Sequence, residues 1–339
     1  MTEILTIGNA ICDLLCKVSD DIIDNLDLVK GSMILCDIEQ INNILDILKK
    51  NNFDFVLSSG GSAANTAFLL KMQNINAAFI GNVANDYYGK KYADELDEAG
   101  VKFLNVNNNL NSDTAKSIIL ITPDGERTMC TYLGCASDIM IKDGILEEFS
   151  DLKYIYLEGY LWDNNNTVNE IIPFIEDAKS KNIKIAFSLS DSFCVERNFE
   201  KFHFLCDNYV DLIFANEEEI KSCYDIDLSE PSKIKILQDK IKNSNIKSII
   251  ITKNIEGAVV ILEEEYFNVP TRKLKAIDST GAGDSFAAGF LAKIVKKNDF
   301  FSAANNANYI AGQIVVNVGA RPNNLDINSD LNLCNEVNN

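Results

Sequence analysis

The chain has 339 residues, 47% hydrophobic and 24% charged, which are ordinary globular proportions and exclude disorder along its whole length. Against 31 Lys and Arg stand 50 Asp and Glu, and the resulting net charge of −19 repels phosphate backbones and acidic lipid, which argues against a nucleic-acid or membrane-surface partner. One histidine, His203, excludes a multi-His zinc centre, and nine cysteines without a C-x-x-C exclude a zinc ribbon and a disulfide framework.

Taken in chain order, residues 4–8 and 11–18 are predicted strands separated by a Gly-Asn turn, and the start lacks the basic region of a signal peptide. No apolar run reaches the roughly 18 residues of a membrane span, so a cytoplasmic protein is expected. A short strand is expected at 31–35. A helix is expected at 38–49, where Ile41, Ile44, Leu45 and Leu48 recur at helical spacing. The apolar run 53–57 leads into Ser59-Gly60-Gly61-Ser62-Ala63-Ala64-Asn65 and a helix to about Met72. A buried strand over 77–80 and a helix over 87–99, closed by Gly100, follow. Residues 115–121 and 127–133 read as a hairpin around Pro123-Asp124-Gly125.

From 151 onward strand and helix alternate. Strands are expected over 154–157, 183–188, 212–214 and 248–252, with edge strands over 257–262 and 266–269. Helices are expected over 167–180, from 216, over 233–242, over 284–296 and over 301–318. This pattern predicts one α/β domain over about 1–330: a central, mostly parallel sheet flanked by helices. A small β lid is expected from segments near 11–18, 31–36, 101–106 and 115–134.

The most specific stretch is Asp278-Ser279-Thr280-Gly281-Ala282-Gly283-Asp284 at the start of an amphipathic helix. Glycines there leave backbone N–H groups accessible, and a helix N-terminus adds its dipole, so Gly281, Ala282 and Gly283 form a candidate anion hole. A carboxylate beside such a hole is repulsive to phosphate and needs a reason. Asp284 is either a general base for an attacking hydroxyl or an N-cap after a Gly turn. No G-x-x-x-x-G-K-[ST] and no G-x-G-x-x-G is present, which removes the Walker and dinucleotide readings.

Residues 278–284 together with Gly60-Gly61-Ser62-Ala63-Ala64-Asn65 resemble the ribokinase superfamily, the PfkB-type carbohydrate and nucleoside kinases, from the first strand to about Pro322. The resemblance implies ATP as phosphoryl donor, Mg²⁺, and Asp284 as base. It assigns Gly61, Ser62 and Asn65 to the acceptor's hydroxyls. Asn216-Glu217-Glu218-Glu219 matches the family's Asn-x-x-Glu, whose Asn216 and Glu219 order Mg²⁺ through water; alone, the run reads as an Asn-capped acidic helix start. Gly8-Asn9-Ala10-Ile11-Cys12-Asp13 is similar to the adenosine kinases of that family, which implies that Asn9 and Asp13 grip a ribose.

Arg127 stands where those kinases carry an arginine directed at the transferred phosphate; alone it reads as a solvated hairpin arginine. The resemblance further implies an apolar base slot from Met33, Leu133, Cys135, Leu161 and Phe193, and nucleotide contacts at Thr252, Gly257 and Asn308. It implies a monovalent cation, K⁺, near Asp278 and Thr280. Thr252-Lys253-Asn254 departs from the family's Thr-x-Gly and puts that contact in question. The expected activity is transfer from ATP to a primary hydroxyl of a ribose-containing small molecule, adenosine first and a free sugar as the alternative. A non-catalytic nucleoside-binding protein is the rival of another class. The expected state is a monomer or homodimer.

Overall fold

The computed structural model describes residues 2–106, 112–228 and 230–327. Its main sheet has nine strands: β1 (Ile4–Ile7), β5 (Ala77–Gly81), β6 (Lys102–Asn105), β9 (Tyr154–Glu158), β10 (Lys184–Ser188), β11 (Leu212–Asn216), β12 (Ser248–Thr252), β13 (Ala258–Ile261) and β14 (Tyr266–Val269). They run in the order β14-β13-β12-β11-β10-β9-β1-β5-β6, parallel from β12 to β6 and antiparallel across the last hairpin. Strands buried on both faces alternate their side chains between two helical layers. Leu5 and Ile7 pack with the layer holding Trp162 and Phe187, whereas Ile4 packs with Leu70, Phe286 and Phe290.

A second sheet has five strands: β2 (Ile11–Lys17), β3 (Met33–Leu35), β4 (Val56–Gly60), β7 (Ala115–Ile121) and β8 (Arg127–Tyr132), in the order β3-β8-β7-β2-β4. The helix Ile38–Lys50 covers one face, burying Ile41, Ile44, Leu45 and Leu48 against Leu14, Ile118 and Cys130. Register places Asp13, Ser117, Thr131 and Ser58 side by side on the opposite face, with Met33, Met129 and Arg127.

Two expectations for the small sheet are corrected. Residues 102–105 pair with β5 at the edge of the main sheet, not in the small sheet. The chain over 56–60, read as an apolar approach to the Gly-Gly motif, is itself a small-sheet strand paired with β2. Helices at Ser192–Arg197 and Phe199–Asn208 were not expected from periodicity; they are short and interrupted at Asn198. His203 lies half-buried on the second of them, its Nε2 2.8 Å from the Cys223 carbonyl. The eight described cysteines are free, all buried except Cys36, and Cys334 lies outside the described residues. Among the described residues no helix is long and apolar enough to cross a membrane.

Chain order along the main sheet reverses at β1. The strands β5 and β6 grow to one side of it, and β9 through β12 to the other. In open α/β sheets the crevice beyond the strand C-termini at such a reversal is where ligands bind. Here it is bounded by Asn9, two residues past β1, and by Glu158, the last residue of β9.

Candidate active site

The helix Ala282–Ile294 begins at the crevice with Gly281 as its N-cap, in the left-handed region at φ +76 and with no side-chain cap. A Cβ on Gly281 would stand 2.4 Å from that of Ala320, so the turn needs glycine. The uncapped helix start faces a cavity of ≈370 Å³ lined by Gly281, Ala282, Gly283 and Asp284 on one wall and Asn216 and Glu219 on another. A second cavity of ≈220 Å³ adjoins it through Thr252, Asn254, Ala282 and Gly283, and runs along Gly257 and Asn308. Asn254 accommodates its departure from glycine by taking φ +49, a conformation asparagine tolerates.

Asp284 is not the helix cap. It lies in the first turn, and its carboxylate crosses to the helix Ser62–Met72, accepting from Ser62 Oγ at 2.6 Å and Asn65 Nδ2 at 2.9 Å. Burial pushes its pKa up, while the Ser62 and Asn65 hydrogen bonds and the Arg321 charge pull it back. Gly61 turns the chain into that helix at φ +95, and a Cβ there would meet the Asn9 carbonyl oxygen at 2.1 Å. The Gly-Gly run therefore brings Ser62 and Asn65 to Asp284 by pressing its backbone onto the β1 loop.

No side chain of its own caps the helix Ser62–Met72. Glu158 supplies the acceptor from across the crevice: its two carboxylate oxygens accept from Asn9 N at 2.7 Å and Ala63 N at 2.8 Å. Burial, opposed by these two bonds, raises Glu158 to about 7. Asp13, half-buried on β2 beside Gly60, is likewise raised to about 7 by desolvation, against the lowering charges of Arg321 and Arg127. The Asn9 Oδ1 is buried with no hydrogen-bond partner among the described residues, an acceptor left for a ligand hydroxyl.

Asn216 and Glu219 form a capping box at the helix Glu217–Tyr224: Asn216 Oδ1 accepts from Glu219 N at 2.8 Å, and Glu219 accepts from Asn216 N at 3.0 Å. Burial raises Glu219 to about 7. The capping residues and the cavity wall coincide in one structure.

Three carboxylates with folded values near 7 set the sign of a pH effect. Between about pH 4.5 and 7 the folded chain holds protons that the unfolded chain has already released, each contributing at most about 1.4 kcal/mol per pH unit. That stability is complete below the unfolded value and is lost as pH rises through 7. The ligand-free protein is expected to melt at a higher temperature at pH 5.5 than at pH 8. A melting temperature that climbs over that interval refutes the raised values.

Residues 29–327 match the family model described as pfkB family carbohydrate kinase. The chain belongs to the pfkB family. It is 26% identical over 336 residues to adenosine kinase of Saccharomyces cerevisiae, covering 93% of this chain and 95% of that one. Its fold is similar to the crystal structure of adenosine kinase from Sinorhizobium meliloti, with a TM-score of 0.81 and 31% identity, covering 95% of this chain and 96% of that one. The structure of a probable sugar kinase protein from Rhizobium etli gives a TM-score of 0.82, also at 31% identity and covering 95% and 96%. The protein is thus a phosphotransferase with an alcohol group as acceptor.

Within this pfkB site some assigned residues stand elsewhere than expected. Arg127 is neither solvated nor free: Nη1 donates to Thr280 Oγ1 at 2.8 Å, and Nη2 pairs with Asp278. Asp278 also accepts from Thr280 N and Gly319 N. The guanidinium therefore pairs with both residues assigned to a monovalent cation. Physically, a buried carboxylate takes the nearest cation the chain offers, and here that is the tip of the β7–β8 hairpin.

The five residues assigned to a base slot differ in burial. Leu161 is buried within the apolar layer beside Trp162 and Phe187, and Cys135 packs on Asn82. Leu133 is half-buried, while Met33 and Phe193 are exposed at 48% and 70%. Sequence reasoning missed Glu158 and Arg321. Glu158 carries a detectable signal, a lone acid at the C-terminal end of an apolar strand before Gly159.

Proposed function

We propose that this pfkB-family kinase transfers the γ-phosphate of ATP to the primary hydroxyl of a ribose-containing small molecule, with the 5′-hydroxyl of adenosine as first acceptor. The observation that carries the reading is the place of Asp284. Its carboxylate lines the same cavity as the uncapped Gly281–Gly283 turn, oriented by Ser62 and Asn65, and its charge reaches Asp13. A general base must lie within reach of both the hydroxyl it deprotonates and the phosphoryl group under attack. Asn9, Asp13, Gly61, Ser62 and Asn65 position the acceptor, and the amides of residues 281–283 face the charge that develops on the phosphoryl oxygens. Thr252, Gly257 and Asn308 line the adjoining cavity, which suits the nucleoside part of ATP.

Asn216 and Glu219 would hold Mg²⁺ through water: both line the cavity wall across from the Gly281–Gly283 turn, and an amide oxygen and a carboxylate are the oxygen donors this ion takes. When bound, Mg²⁺ offsets the charge on the transferred phosphate. The small sheet is the lid of this reading. Its polar face carries Asp13 and Arg127, and excluding water there suppresses ATP hydrolysis. Full-length similarity to adenosine kinases from yeast and Sinorhizobium supports the nucleoside acceptor. A second reading, a free-sugar acceptor, is favoured by the likeness to a probable sugar kinase.

The test is transfer of labelled γ-phosphate from Mg·ATP to adenosine, inosine, ribose, fructose and a blank. Preferential labelling of adenosine is expected. Preferential labelling of ribose or fructose overturns the nucleoside acceptor while leaving Asp284 in its role. Labelling of none overturns adenosine as first acceptor and leaves an untested acceptor or a binding function.

A further inference from the structure

Arg321 lies beyond the last helix, in a stretch of sequence with no motif, yet its side chain reaches the centre of the site. Its Nε donates to Asn65 Oδ1 at 2.9 Å, and the same Asn65 donates through Nδ2 to Asp284 Oδ2 at 2.9 Å. The guanidinium lies over the Phe68 ring, 5.2 Å from its centroid. Its Nη1 and Nη2 are buried without a hydrogen-bond partner of good geometry among the described residues. A buried cation kept from water in this way needs nearby negative charge, and Asp13 and Asp284 both feel it.

An asparagine amide has two orientations that packing alone barely distinguishes. With Arg321 in place only one satisfies both neighbours. The carbonyl oxygen must face the guanidinium, and the NH₂ then faces the carboxylate. The flipped amide would set donor against donor at Arg321 and acceptor against acceptor at Asp284. We infer that Arg321 is a positioning residue of phosphoryl transfer: it locks the Asn65 amide so that Asp284 is held in its attacking orientation, and it lends a fixed positive charge to the buried carboxylates. This rests on the reading of Asp284 as general base.

The groups facing Asp284 are Asp13 on β2, Tyr156 and Glu158 on β9, and Arg321. Of these Arg321 is the cation, so its removal must make Asp284 harder to ionise. Three variants separate the possibilities. In R321Q, kcat at neutral pH is expected to fall at least about tenfold, with the KM for ATP within about threefold. The acid limb of the kcat profile is expected to move to higher pH by half a unit or more. In R321K the charge stays and the fork is lost, so the acid limb is expected at its wild-type position with kcat only partly restored. An arginine that merely packs on Phe68 would move the melting temperature and leave the limb in place.

A folded R321Q with an unmoved limb overturns the proposal. Should R321Q not fold, R321K decides alone, and a limb displaced by half a unit or more in that variant overturns it. The control D284N tells the two readings apart: turnover surviving in D284N refutes the base itself, whereas an inactive D284N with an unmoved R321Q limb refutes only the role of Arg321.

Discussion

Replacing Asp284 by Asn is expected to lower kcat by about 10²–10⁴-fold while the dissociation constant for the acceptor stays within about tenfold. The carboxylate stands both at the turn of Gly281–Gly283 and against Ser62 and Asn65, the side chains proposed to position the acceptor, so losing its basicity is expected to remove proton abstraction and little of the binding surface. The geometry also says how the variant will settle. The amide oxygen of the D284N side chain still accepts from Ser62, but its NH₂ then meets the NH₂ of Asn65, and Asn65 cannot flip without opposing Arg321. A modest loss of stability from that donor–donor contact is expected, partly offset by removing a buried charge. Single-turnover phosphoryl transfer and calorimetric titration of the acceptor check both halves. If affinity collapses together with turnover, Asp284 is holding the substrate and not abstracting its proton.

The parts of this site legible in the sequence share a property: each is written in adjacent residues. Residues 278–284, 60–65 and 216–219 set glycine or a capping side chain directly at a helix start, where local chemistry and function use the same atoms. The parallel sheet was legible because its strands are apolar on both faces and separated by amphipathic helices. What stayed hidden depends on contacts across the fold. Glu158 meets partners 149 and 95 positions away, and Arg321 meets one 256 positions away. The strand 56–60 was obscured because it carries Ser58 and Ser59 on a sheet with one polar face, so it lacks the apolar signature of the main sheet. The base slot was carried over residue by residue from a resemblance, and no local pattern in the sequence tells which of its residues are core and which exposed: Leu161 is buried while Phe193 faces solvent.

Glu158→Ala is expected to produce the largest loss of stability of any single change at the site. The carboxylate is 1% exposed and satisfies two backbone donors, Asn9 N and Ala63 N, that have no other acceptor among the described residues. Each buried N–H left unpaired costs about 1–3 kcal/mol, so the sum is about 2–6 kcal/mol before any collapse of the space left behind. Truncation also removes the negative charge that the N-terminus of the helix Ser62–Met72 gains in the absence of a local cap.

Opposing these losses is relief of a charge held in a dry site, and that relief depends on pH. Because burial raises Glu158 to about 7, the wild-type side chain is mostly neutral at pH 5.5 and mostly ionised at pH 8. The destabilisation measured by urea unfolding is therefore expected to be larger at pH 5.5 than at pH 8. Glu158→Gln separates acceptor from charge: it offers one oxygen in place of two and turns an NH₂ toward the second N–H, so it should recover only part of the loss. Asn9 and the Gly61 turn both hang on these bonds, so the KM for the acceptor should rise more than that for ATP. A loss under about 1 kcal/mol for Glu158→Ala at both pH values would mean that water replaces the carboxylate, and that the β1 loop and the Gly-Gly helix hold their places without it.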